Sequence, residues 1–250
     1  MKLEIKNLSF SYSKKETIKN ISFTANSGDI VAILGINGVG KSTLLKCINK
    51  IHKPKTGEIL IDGKDVFKMR TNEIAKNISY VAQYEQFIEG TVFENILLGR
   101  KPYIKWDLSK EDIDIVNNVI DEVNLKELQD RNIDKLSGGE RQKVAIARAL
   151  AQSTPVIMFD EPTSNLDIKN QIEVLNEIKE ITIKNNCISL ISIHDINLAM
   201  RYANKFLLLK NGEVYKFGCE DIITKENLKD IYGVDSEIVI KNGHKIIVVE

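Results

Sequence analysis

Several absences narrow the chemistry open to this sequence before any motif is read. It carries no excess charge: Lys+Arg and Asp+Glu number 35 each. With no global field and no run of one sign, nothing favours an electrostatic hold on nucleic acid, and no nucleic-acid partner is expected. Cysteine is scarce. Cys47, Cys187 and Cys219 lack metal-ligand spacing and lie in or beside apolar runs, so buried thiols in a reducing compartment are expected. No apolar stretch approaches the roughly 20 residues that cross a bilayer. Met1-Lys2-Leu3-Glu4 opens a strand pattern rather than a signal peptide, so a cytoplasmic chain is expected unless a partner carries it to a membrane. Internal repeats and low-complexity segments are also missing, which leaves one copy of each motif per chain. What remains is 250 residues with 43% hydrophobic content, enough to bury one large α/β core.

The most informative stretch follows the apolar run Ile30-Val31-Ala32-Ile33-Leu34. Gly35-Ile36-Asn37-Gly38-Val39-Gly40-Lys41-Ser42-Thr43 leads from it into Leu44-Leu45-Lys46-Cys47-Ile48. Strand, glycine-rich loop and helix in that order are what a phosphate-binding loop requires. Gly35, Gly38 and Gly40 let the backbone wrap an anion and aim its N–H groups inward, helped by the positive end of the following helix. Lys41 then reaches the β- and γ-phosphates, and the Ser42 hydroxyl ligates Mg²⁺. A nucleoside triphosphate is the expected ligand.

Along the chain, Leu3, Ile5 and Leu8 alternate with polar residues, and Ile21-Ser22-Phe23-Thr24 leads to a turn at Gly28-Asp29. Both read as half-exposed strands of an antiparallel layer. Phe10-Ser11-Tyr12 places two aromatics on one face, suited either to core packing or to stacking on a base. The loop helix runs from Lys41 to about Asn49, Glu58 to Val66 is a hairpin turning on Asp62-Gly63, and Ile78 to Gln83 is a short strand ending in glutamine. The pattern then turns helical at Val92 to Leu98, Ile113 to Val123 and Gly138 to Ala151. An inserted α-helical subdomain is therefore expected at about residues 85–152. Val156-Ile157-Met158-Phe159-Asp160 reads as a parallel strand buried on both faces. A helix with Ile168, Ile172, Leu175 and Ile178 on one stripe follows, then a strand from Cys187 to Ile193 ending at His194. Hairpins turning on Asn211-Gly212 and Asn242-Gly243 flank a short helix near Glu226 to Ile231, and the tail from about 219 to 250 reads as a C-terminal β hairpin extension. The predicted fold class is α/β: a phosphate-loop NTPase core of mainly parallel sheet, with an antiparallel β layer and the inserted α-helical subdomain, all in a single domain over 1–250.

Two further clusters suit the same chemistry. Asp160 and Glu161 close a buried strand, where a parallel sheet presents ligand-binding groups. Asp160 suits a Mg²⁺ site, and Glu161, pointing differently, is the candidate general base toward an attacking water. Ser137-Gly138-Gly139-Glu140 opens a strongly periodic helix. Alone it is an ordinary N-cap; its hydroxyl, N–H groups and dipole also make a second anion site. With only one phosphate loop per chain, two protomers gripping each nucleotide is the reading that uses both.

The phosphate loop, Gln83, Leu136-Ser137-Gly138-Gly139-Glu140-Arg141-Gln142, Val156 to Asp160 with Glu161, Ser164-Asn165-Leu166-Asp167 and His194 stand in an order and spacing that resembles the ATP-binding-cassette (ABC) ATPases over about residues 2–220. The resemblance implies a head-to-tail homodimer with two ATP molecules between the Gly35 loop of one subunit and the Ser137 motif of the other. It implies that Tyr12 stacks on adenine, with Phe10 as its rival, and that Gln83 touches Mg²⁺ and senses a transmembrane partner. Glu161 would polarise the water, His194 contact the γ-phosphate and Asp167 couple the two sites. A finer likeness rests on Thr91-Val92-Phe93-Glu94, Leu97-Leu98-Gly99-Arg100-Lys101-Pro102-Tyr103, Thr163 to Asp167 and His194-Asp195-Ile196-Asn197-Leu198-Ala199, which are similar to importer ATPases for iron chelates such as siderophores and haem, and for cobalamin. Residues 99–103 read either as a solvated helix end with a proline stop or as a docking surface for a permease helix. The implied protein is a peripheral subunit on the cytoplasmic side of a membrane, bound to separate permeases and only indirectly linked to an extracytoplasmic substrate-binding protein. Another cargo (zinc, manganese or an organic solute) is the alternative, followed by a soluble ABC ATPase acting on ribosomes or DNA.

Overall fold

In a computed structural model the chain is described over residues 1–241 and 244–249. It begins with β1 (Lys2–Phe10) and β2 (Ile18–Asn26), antiparallel partners whose inward Leu3, Ile5, Leu8, Ile18, Ile21 and Phe23 are buried. Register shifts at residues 5–8 let β1 keep its apolar side inward past Asn7, which takes a positive φ of 50. β3 (Ile30–Leu34) leads through the glycine loop to α1 (Lys41–Ile48). β4 (Thr56–Ile61) and β5 (Lys64–Asp65) form the hairpin expected around Asp62-Gly63. A short α2 (Thr71–Ala75) precedes β6 (Ile78–Val81), which stops two residues before Gln83 and leaves that side chain on a loop.

Helices fill the next stretch: α3 (Val92–Leu97), α4 (Lys110–Glu122) and α5 (Gly138–Ala151). Each opens on a reciprocal capping box, Thr91 with Glu94, Ser109 with Asp112 and Ser137 with Glu140, which satisfies the first-turn N–H groups locally. The Ser109 cap starts α4 three residues before the Ile113 of the periodic pattern. The chain continues through β7 (Val156–Asp160), α6 (Ile168–Lys184), β8 (Ile188–Ser192), α7 (Ile196–Tyr202), β9 (Lys205–Lys210), β10 (Glu213–Gly218), α8 (Lys225–Tyr232), β11 (Ser236–Lys241) and β12 (His244–Val249).

Among the described residues the strands form three sheets, ordered β2-β1-β4-β5, β10-β9-β3-β8-β7-β6 and β11-β12. The second is parallel from β9 to β6, with β10 antiparallel at its edge. Its central strands bury both faces. Val31 and Ile33 of β3 and Val156 and Met158 of β7 pack with α1 and the antiparallel layer, while Ala32, Leu34, Ile157 and Phe159 pack with the helices on the opposite side. The core is thus shared between two faces of one sheet, and the carboxyl ends of β3, β7 and β8 converge on one edge.

Two expectations change, and a third falls outside the described residues. The buried stripe of α6 is Val174, Leu175, Ile178 and Ile181, whereas Ile168 is 76% exposed and Ile172 only partly covered. Asp167 caps α6 so early that its first turn projects past the core. Cys47 and Cys187 are buried as expected, but Cys219 is exposed and takes a hydrogen bond from Lys205 Nζ at 3.2 Å. The turn residues Asn242 and Gly243 lie outside the described residues, although β11 and β12 pair antiparallel on either side of them.

Candidate active site

The loop at residues 35–40 bends through positive φ at Gly35 (150), Gly38 (77) and Gly40 (111). At Gly35 a Cβ would stand 2.7 Å from the Leu209 carbonyl oxygen, and at Gly40 it would stand 2.6 Å from Ile18 Cγ2, so neither position accepts a side chain. Gly40 is the N-cap of α1 and supplies no side-chain cap, so the helix opens with first-turn N–H groups free for an anion. Lys41, 5% exposed, folds back so that Nζ donates to Gly35 O at 2.9 Å and Ile36 O at 3.4 Å. Burial lowers its pKa, opposed by the Glu161 and Asp160 carboxylates.

Asp160, at the end of β7, is saturated with donors. Ser42 Oγ and Ser192 Oγ each donate to Oδ1 at 2.8 Å, and Tyr80 OH donates to Oδ2 at 2.9 Å. Burial, then the adjacent Asp160 charge, pushes the Tyr80 hydroxyl well above its usual range and keeps it a donor. Glu161, at a positive φ of 51, turns the other way. Its backbone N–H donates to Ser192 Oγ at 2.8 Å, Gln83 Nε2 donates to its Oε2 at 2.7 Å, and His194 Nε2 stands 2.5 Å from its Oε1. Gln83, Glu161 and His194, from three loops, thus meet at one carboxylate.

These groups border a cleft of about 460 Å³ whose walls include Tyr12, Asn37, Gly38, Lys41, Gln83 and His194. Phe10 is buried in the core while Tyr12 is 61% exposed on the cleft wall, a difference that the period-two spacing could not provide. Oxygen donors at Ser42, Asp160 and Gln83 fit a hard cation such as Mg²⁺, and the first two already stand within hydrogen-bond distance.

Ser137, Gly138, Gly139 and Glu140 are absent from the cleft lining. The Ser137 hydroxyl donates to Glu140 Oε2 at 2.7 Å, as does the Ser137 N–H, so the anion seat at the start of α5 holds the chain's own carboxylate. Those hydrogen bonds hold Glu140 below its usual pKa. A Cβ at Gly139 would lie 2.9 Å from Asn170 Oδ1, which sets this motif against the first turn of α6, where the Asp167 carboxylate accepts from Asn170 N at 2.8 Å. Asp167 is therefore a helix cap beside the Ser137 motif, away from the cleft.

Within residues 99–103, Gly99 and Arg100 are buried rather than solvated, while Lys101 stays exposed. Arg100 is 4% exposed; its Nε donates to Asp112 Oδ1 at 2.9 Å, its Nη1 donates to Ala151 O at 2.8 Å, and the guanidinium lies 4.0 Å from the Tyr103 ring centroid. This stretch is a lock inside the helical insertion.

Sequence reasoning missed Tyr80, Ser192, Thr17 and His52 near the site. Ser192 was open to discovery, since it ends β8 in register with Asp160. His52, bonded to Tyr12, carries no local signal.

Comparison with known proteins agrees with this geometry. The ABC transporter family profile matches residues 18–164. An uncharacterized ABC transporter ATP-binding protein of Methanocaldococcus jannaschii is 47% identical over 248 residues, covering 99% of this chain and 98% of its own. A petrobactin import ATP-binding protein of Bacillus anthracis is 35% identical, covering 94% and 88%, and a phosphonates import ATP-binding protein of Fusobacterium nucleatum is also 35% identical, covering 92% and 97%. Among solved structures, an inward-facing metal-chelate type ABC transporter superposes with a TM-score of 0.86 at 32% identity, covering 99% of this chain and 96% of its own. A dimeric ATP-binding cassette bound to ADP and Pi gives 0.77 at 30% identity, covering 87% and 98%.

Proposed function

The chain belongs to the ABC transporter ATPases, and from that premise we propose that it energises uptake of an iron(III) chelate (siderophore or haem) or of cobalamin through a separate membrane permease. As an importer ATPase it hydrolyses ATP. The observation that most supports the chelate cargo is the likeness to the metal-chelate type transporter over nearly the full length of both chains. The phosphonate relative, as similar in sequence as the petrobactin one, favours a phosphonate as the second reading. Deleting the gene and measuring uptake separates them: loss of ferric-siderophore, haem or cobalamin uptake with phosphonate uptake intact is expected, and loss of phosphonate uptake alone overturns the chelate reading.

The chemistry we assign follows from the cleft. Asn37, Gly38, Gly40 and Thr43 line the phosphate seat, with Gly35, Ile36 and Val39 completing the loop behind them, Lys41 leaves its loop carbonyls to meet the β- and γ-phosphates, and Tyr12 stacks on adenine. Ser42, Asp160 and Gln83 would hold Mg²⁺, which when bound neutralises phosphate charge. Glu161 takes the proton of the attacking water as general base, with Gln83 and His194 fixing its carboxylate, and His194 stays within reach of the γ-phosphate. Because Ser137 borders no part of its own cleft, a second subunit completes the site head to tail, its Ser137 hydroxyl exchanging the Glu140 carboxylate for phosphate. Among the described residues no helix is long and apolar enough to cross a membrane. The protein therefore works, in this reading, from the cytoplasmic face through its permease partners, and meets an extracytoplasmic substrate-binding protein only through them.

A further inference from the structure

Tyr12 belongs to a three-ring cluster that no motif predicts. Phe10, at the end of β1, and His52, just beyond α1, lie parallel within 8° at 5.0 Å between centroids. Tyr12 stands across both, at 90° and 4.9 Å from Phe10 and at 86° and 5.1 Å from His52. Its hydroxyl is 2.9 Å from His52 Nε2 and 3.4 Å from Thr43 Oγ1. The histidine is itself anchored, because its backbone N–H donates to Lys46 O of α1 at 3.0 Å. α1 thus carries the phosphate loop at one end and, just past the other, the imidazole that reaches the phenol.

We propose that His52 is a positioning residue for the nucleobase: by holding the Tyr12 hydroxyl from the far end of α1, it fixes the aromatic platform at a set distance from the phosphate seat. This rests on the reading of Tyr12 as the adenine platform. An exposed tyrosine held only by ring packing swings about χ1, and binding a base must then stop that motion. A hydroxyl tied to His52 has lost the freedom before the base arrives. Partial burial, then the Lys46 ammonium, lowers the His52 pKa, which favours the neutral ring with a nitrogen able to accept from the phenol. His52 is not among the residues bordering the cleft, so its effect passes through Tyr12.

The test uses the full chain and two probes, ATP and inorganic tripolyphosphate, which fills the phosphate seat without a base. H52F keeps a ring on Phe10 and removes the nitrogen. It should weaken ATP binding about twofold to tenfold, the worth of one hydrogen bond, and leave tripolyphosphate affinity unchanged. Y12F removes the same bond from the other side, so Y12F/H52F should bind ATP no more weakly than the worse single variant. Additive losses in the double variant, ATP affinity unchanged in H52F, or equal losses for both probes would each overturn the proposal, the last by making His52 a general support of the loop. Y12A keeps the two readings apart. If it lowers ATP but not tripolyphosphate affinity while H52F does not, only the His52 role fails; if it leaves the ratio of the two affinities unchanged, the platform reading fails and the proposal with it.

Discussion

Glu161 holds a left-handed backbone conformation that is uncommon outside glycine and asparagine, and it is kept there by Ser192. The twist sends its carboxylate toward Gln83 and His194 while the preceding Asp160 faces Ser42 and Tyr80. E161Q keeps the shape and one acceptor but loses the basic charge. Phosphate release should fall about 10²- to 10⁴-fold while titrated ATP affinity is retained, and near-normal turnover would remove Glu161 from the base role. Lys41 offers a contrasting case, since in the proposed chemistry its charge acts in binding as well as in the reaction. K41A should weaken ATP about tenfold to a hundredfold, the value of a charged hydrogen bond, and lower hydrolysis with it; equilibrium titration checks the first and phosphate release the second. Lys41, Ser42 and Asp160 were legible in the sequence because loop spacing and a strand terminus are local signals. Tyr80 and His52 were not, because each reaches its partner only after distant segments have packed.

At the level of elements, the helical insertion is held by buried polar contacts as well as by apolar packing. Arg100 links the stretch after α3 to Asp112 of α4 and to the last carbonyl of α5, at Ala151. R100A would leave the buried Asp112 carboxylate held by Ser109 but without its ionic partner, and should lower the free energy of urea unfolding by about 3–5 kcal/mol; a loss under about 1 kcal/mol would show the lock to be dispensable. The same α5 that begins at Ser137 reaches Gln83's segment near its other end, where Arg148 pairs with Glu85 and donates to Gln86 O at 3.0 Å. One helix therefore spans from the Ser137 motif to the loop bearing Gln83. The start of α5 was readable from its Ser137 N-cap, whereas the stripe of α6 was misplaced because periodicity reports an apolar face without saying where the core stops.

Over the whole molecule, alternation of apolar strands and amphipathic helices was enough to anticipate a parallel sheet under an antiparallel layer. The sequence alone did not reveal how the tail attaches: Asn197 of α7, three residues after His194, exchanges two hydrogen bonds with the Ile247 backbone of β12, at 2.8 and 3.1 Å. A polar side chain that completes the bonding of a distant strand has no periodic signature. The separation of Ser137 from its own cleft has a kinetic meaning. In a dilute preparation at saturating ATP, total hydrolysis should rise as the square of protein concentration before becoming linear, and a strictly linear dependence over two decades would mean that each chain completes its own site. Two copies mounted side by side on a transporter would meet at an effective concentration in the millimolar range. Reaction order would then protect the cell's ATP, because unassembled copies could hold nucleotide while consuming almost none.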